Sequence, residues 1–177
     1  MRSIPGMVVI CPADDVEAKA AVKAAYEYVG PVYLRFGRLA VPVFHAEDYK
    51  FEIGKAEILH EGTDICIISN GVLTYEALKA AETLEKEGIH ARVLNMGTIK
   101  PIDKEAVIAA AKECGGKIIT AEEHSVVGGL GEAVCAVLAE NYPARVRRIG
   151  LQDVFGYSGP MAQLMVEFGL DETNIVK

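Results

Sequence analysis

Short continuous apolar runs alternate along this chain with longer stretches of helical spacing. Met7 to Cys11, Val32 to Phe36 and Thr63 to Ser69 read as buried strands, and Ala91 to Met96, Lys117 to Ala121 and Val146 to Leu151 as further strands. Tyr49 to Ile53 and Ala56 to Leu59 are shorter strand candidates. Between the first two runs, Asp14 and Asp15 stand as N-cap and first-turn acids of an Ala-rich helix that reaches about Val29 and stops at Gly30-Pro31. Ala77, Leu78, Ala81 and Leu84 mark one face of a helix from about Thr74 to Glu87. Val107, Ala110 and Ala111 do the same for Asp103 to Cys114, and further helices are expected at Gly128 to Asn141 and Pro160 to Phe168. Gly88, Gly115-Gly116 and Gly169 fall where helix ends need them.

Strands and helices alternating with short loops build a mainly parallel sheet covered on both faces, a three-layer α/β/α architecture. Residues 7–38 form a separate strand-helix-strand unit of parallel type, too small to cover its own apolar faces. The pattern lapses from Ala40 to Asp48, which is therefore the expected linker between residues 1–47 and 48–177. Uncovered apolar surface on the first unit leads us to expect association with another chain.

Composition narrows the function classes. A hydrophobic fraction of 51% over 177 residues fits a folded globular chain, and a net charge of -7 argues against nucleic acid or an anionic membrane as partner. No window holds the roughly 20 apolar residues that cross a bilayer, so a soluble, cytoplasmic protein is expected. Cys11, Cys66, Cys114 and Cys135 lack any metal or dithiol spacing and read as core thiols.

Candidate chemistry gathers where the Lys117 strand turns into the next helix, because the backbone N–H groups of a helix start are an anion site at the carboxyl end of a sheet. Glu122, Glu123, His124 and the turn Gly128-Gly129-Leu130-Gly131 are the residues at issue. The glycine spacing departs from the dinucleotide fingerprint and lacks the Lys-Ser/Thr of a phosphate loop, which places packing or domain contact ahead of anion or nucleotide binding. His124 follows two carboxylates, but neighbours on a strand point to opposite faces, so an interface histidine is favoured over a general base. His45, His60 and His90 stand singly and read as surface histidines. Arg35 and Arg38 flank Phe36-Gly37 at a strand end, a placement suited to a phosphate or carboxylate, although on residues alone a solvent-facing or salt-bridged role is slightly preferred. Lys100 reads as an exposed lysine in a tight turn. No nucleophile elbow, zinc helix or Asp-rich cation loop is present.

Five segments taken together, Pro5-Gly-Met7, Cys11-Pro-Ala-Asp-Asp15, Gly30-Pro-Val-Tyr-Leu-Arg35, Asn95-Met-Gly-Thr-Ile-Lys-Pro-Ile-Asp103 and Glu122-Glu-His-Ser-Val-Val-Gly-Gly-Leu-Gly131, resemble the C-terminal part of transketolases, particularly the C-terminal subunit of the split form. The resemblance implies an enzyme that moves a two-carbon ketol unit between sugar phosphates, as in the pentose phosphate pathway, with thiamine diphosphate and magnesium. It implies residues 1–47 as the end of the pyrimidine-binding domain plus linker, and residues 48–177 as the C-terminal domain. The activating glutamate, substrate histidines and magnesium motif of the family would lie outside this stretch. The chain alone is therefore expected to bind no cofactor and to be inactive, as a truncation, a misassigned start or a partial subunit. The implied partners are an N-terminal, diphosphate-binding subunit and further copies of the chain. The resemblance reverses the preference at Arg38, implying it as the sugar-phosphate ligand with Arg35 second. Relatives usually carry an acid where Tyr157 stands. The 1-deoxyxylulose-5-phosphate synthases and the β subunits of 2-oxoacid dehydrogenases share the architecture, but Glu-Glu-His-Ser and Thr-Ile-Lys-Pro favour transketolase. A non-catalytic α/β module binding an anion or partner at Gly128 to Gly131 is the alternative from another class.

Overall fold

The computed structural model describes residues 1–38 and 40–177. β1 (Val8–Ile10), α1 (Asp15–Glu27) and β2 (Val32–Leu34) form the first unit, with β1 and β2 parallel. The second contains β3 (Glu57–His60), β4 (Ile65–Ser69), α2 (Leu73–Lys86), β5 (Ala91–Asn95), β6 (Thr98–Lys100), α3 (Lys104–Glu113), β7 (Lys117–Ser125), α4 (Leu130–Asn141), β8 (Arg145–Leu151), α5 (Met161–Glu167) and α6 (Glu172–Val176).

Five strands make the main sheet in the order β3-β5-β4-β7-β8, with β5, β4, β7 and β8 parallel and β3 antiparallel at one edge. Alternation along β4 explains why both faces are apolar. Ile67 joins the layer built by Ala77, Ala81 and Leu84 of α2, whereas Cys66 and Ile68 join the opposite layer with Val107 of α3 and Val134 and Leu138 of α4. The fold is the expected mostly parallel α/β sheet with helices on both faces.

Three local expectations are corrected. Tyr49 to Ile53 is not a strand. Its alternation is real, since Phe51 and Ile53 pack on the cluster of Val8, Ile10 and Ala21, but no ladder pairs its backbone. The turn at Thr98 to Lys100 is instead β6, which leaves the main sheet and pairs antiparallel with β1. The second unit thus supplies the third strand of the β2-β1-β6 sheet, and Lys100 donates to the Ile4 carbonyl at 2.5 Å. A last helix, α6, is capped by Asp171 through the Asn174 N–H and lies against α2.

Candidate functional site

The chain runs from β4 through α2 to β5 on one side, and from β7 through α4 to β8 on the other. Ligands of open α/β sheets collect at the carboxyl ends beside such a reversal, and here the first unit sits against that edge. Asn70 follows β4, Glu122 to His124 end β7, and Arg35 follows β2.

Glu122 is 2% exposed. Its carboxylate accepts from the N–H groups of Leu130 at 2.7 Å and Gly131 at 2.8 Å, so an internal anion caps α4. Gly129 is required beside it, because a Cβ there would meet the Glu122 carboxylate. Burial pushes the Glu122 carboxyl above its ordinary range, opposed by the Gly131 and Leu130 N–H groups and by the charges of His124 and Arg35. His124 Nδ1 lies 2.8 Å from the Ser125 carbonyl and 4.0 Å from Glu122 Oε2.

The two arginines diverge. Arg35 turns inward, its Nη2 donating to the Glu123 carbonyl at 2.6 Å and its Nη1 lying 3.9 Å from Cys11 Sγ. Burial pushes the Cys11 thiol up to about 11 despite the Arg35 charge, so it is no reactive thiolate at neutral pH. Arg38 is exposed and lines a crevice of about 700 Å³ with Glu123 and Tyr157, floored by Val72, Leu151 and Phe168.

Another polar cluster, missed from the sequence, holds the first unit and the linker in place. His45, expected at the surface, has a side chain only 1% exposed. Its Nδ1 lies 2.9 Å from Asp14 Oδ2, its Nε2 lies 3.0 Å from Glu57 Oε2, and its ring packs on Tyr49. Asp14 Oδ1 caps α1 through the Glu17 N–H, while Oδ2 accepts the Phe44 and His45 N–H groups. The buried Glu17 carboxylate accepts from Ala13 N–H at 2.6 Å and from Asn95 of β5 at 2.9 Å. Burial pushes Glu17 above its ordinary range, against those donors. The one legible signal was the Asp14-x-x-Glu17 spacing, a capping-box pattern whose glutamate reaches one N–H further back than usual.

Comparison with known proteins resolves the architecture. Residues 54–175 match the transketolase C-terminal domain, and residues 1–43 match the transketolase pyrimidine-binding domain. The chain belongs to the transketolase family. It is similar over 177 residues, at 44% identity, to a 6-deoxy-6-sulfo-D-fructose transketolase subunit of Clostridium sp. (strain MSTE9), covering 100% of this chain and 55% of that protein. Identity is also 44% to an apulose-4-phosphate transketolase subunit of Phocaeicola vulgatus, with 100% and 56% covered. A solved split-gene transketolase, described as an inactive beta4 tetramer, superimposes with a TM-score of 0.94 at 45% identity, over 99% of this chain and 56% of that one. The chain thus spans about half the length of these transketolase relatives.

Proposed function

We propose that this chain is the C-terminal part of a transketolase subunit whose assembled enzyme transfers a two-carbon ketol unit between sugar phosphates. The observation that carries this reading is the 0.94 TM-score to the split-gene transketolase across both of the chain's units. Thiamine diphosphate with magnesium is the group the family implies. The residues here do not fit the magnesium: among the described residues no three His, Cys, Asp or Glu side chains are grouped to hold a metal. In this reading an N-terminal, diphosphate-binding subunit holds the cofactor, the chain alone is inactive, and no catalytic step runs through its own residues.

What the chain contributes is a cation for the sugar's terminal oxyanion. Arg38 is our first choice because its crevice is open and lined by few other charges; Arg35, tied to Glu123, is second. The named sugars of the two transketolase relatives carry a sulfonate or a phosphate, and a guanidinium fork suits either, so a pentose phosphate need not be the substrate. Residues 48–177 serve structure and oligomerisation, with Glu123, His124, Gly128, Gly129 and Gly131 at the contact between units.

The test reconstitutes the enzyme with the diphosphate-binding subunit and the rest of the pyrimidine-binding domain, and measures ketol transfer with and without Arg38→Ala. Loss of a charged hydrogen bond of about 1.5–3 kcal/mol should lower kcat/KM at least tenfold, chiefly through KM. Unchanged kcat/KM removes Arg38 from the site. A second reading, as the C-terminal part of a 1-deoxyxylulose-5-phosphate synthase, draws on 40% identity to such an enzyme of Geobacter sulfurreducens. Formation of deoxyxylulose phosphate from pyruvate by the same assembly would favour it.

A further inference from the structure

A second, smaller cavity of about 100 Å³ lies in the seam between the two units, with Arg35 in its lining. Arg2, Cys11 and Arg35 line it from the first unit, and Asn70, Glu122 and His124 from the second. Two of these groups lack the partners that burial calls for. Asn70 is 2% exposed, yet its side-chain nitrogen has no hydrogen-bond partner among the described residues. The Arg35 guanidinium reaches a carbonyl and a thiol, but no carboxylate lies within ion-pair distance of it among the described residues.

The single lining carboxylate among these six, Glu122, already has both oxygens engaged by the Leu130 and Gly131 N–H groups. Arg2 at the rim is already engaged, its Nε donating to the Gly128 carbonyl at 3.0 Å and its Nη2 pairing with Glu132 at 3.4 Å, so Arg35 carries the unpaired charge. The free capacity of the cavity is therefore the Asn70 donor and the Arg35 charge, the start of α4 being already satisfied by Glu122. Its volume equals about three waters at roughly 30 Å³ each, which is room for one tetrahedral oxyanion and not for an attached sugar.

We propose that this cavity binds a small inorganic oxyanion, for which phosphate is the probe, and that the bound ion ties Arg35 of the first unit to Asn70 of the second. The proposal is independent of the role given to Arg38. It predicts that phosphate stabilises the 177-residue chain saturably, with a dissociation constant of about 1 mM or tighter, while chloride at matched ionic strength does not.

Calorimetric titration and thermal unfolding with phosphate test it on the parent, on Asn70→Leu and on Asn70→Asp. Leucine removes the donor and aspartate replaces it with a like charge at unchanged shape. Each should weaken phosphate binding at least tenfold, as expected for one lost charged hydrogen bond. Undiminished binding in either variant would overturn the assignment, as would displacement of bound phosphate by ribose 5-phosphate, which is too large for the cavity. If neither variant folds, a crystal structure of the parent grown from phosphate decides. Tetrahedral density between Arg35 and Asn70 supports the site, and ordered water alone refutes it.

Discussion

Asp14 offers the sharpest test of how the linker is held to the first unit, because its two oxygens do different jobs. Oδ1 caps α1 through the Glu17 N–H at 2.9 Å; Oδ2 takes the Phe44 and His45 N–H groups, each at 2.9 Å. Asn at this position keeps a capping oxygen but turns an NH₂ group toward two buried donors. An orphaned buried donor costs about 1–3 kcal/mol, so Asp14→Asn should lose roughly 3 kcal/mol after partial relaxation. Asp14→Ala should lose about 1 kcal/mol more, the usual worth of the cap. Urea unfolding at pH 7 measures both.

The pH dependence gives an independent check on the same residue. Burial alone would raise the Asp14 carboxyl, but the His45, Glu17 and Phe44 N–H groups and the His45 ring hold it below its ordinary range. A depressed folded value means that its stabilisation is fully present above the unfolded pKa, near about 3.9, and is lost as pH falls through the folded one. The gap between parent and Asp14→Asn should therefore close below about pH 4. A gap under about 0.5 kcal/mol at pH 7, or one that persists into acid, would refute the division of roles.

Gly129→Ala should lower stability by about 1–3 kcal/mol, since the new methyl meets the Glu122 carboxylate and the carboxylate cannot retreat without releasing the α4 N–H groups; a thermal melt within a degree of the parent would contradict this. Glu122→Gln leaves one oxygen for two N–H groups, and should cost about 1–3 kcal/mol by the same measurement. Cys135 is half-buried whereas Cys11, Cys66 and Cys114 are buried, so an aromatic disulfide reagent should find one fast thiol in the native chain and all four in urea; rapid reaction of a second native thiol would contradict the burial.

Much of the main sheet was legible because parallel strands covered on both faces are mostly apolar, as Ile65 to Ile68 is throughout and Ala91 to Leu94 is apart from Arg92. β6 was not legible, because nothing in Thr98-Ile-Lys100 distinguishes a strand from a turn. It is a strand only because β1 presents an unpaired edge to it. Tyr49 to Ile53 shows the converse: alternation reports which side chains are buried, and it can occur with no paired strand beside it. Asp14 and His45 lie 31 residues apart, so a lone histidine in a linker carried no mark of its burial.

The candidate site divides along the same line. Sequence could bring Arg35 and Arg38 to one strand end, but β2 stops at Leu34, and the irregular segment beyond it sends one guanidinium into the seam and the other to the crevice. It could also mark Gly128 to Gly131 as a place where anions gather, without showing that Glu122, from the strand before, already fills the role. Two of the buried carboxylates, Asp14 and Glu122, accept backbone N–H groups at the starts of helices in their own units. The bonds that cross between the units are others, Arg35 to the Glu123 carbonyl, Asn95 to Glu17 and His45 to Glu57; all are short-range and directional, and a pattern of residue types along a chain carries no record of direction.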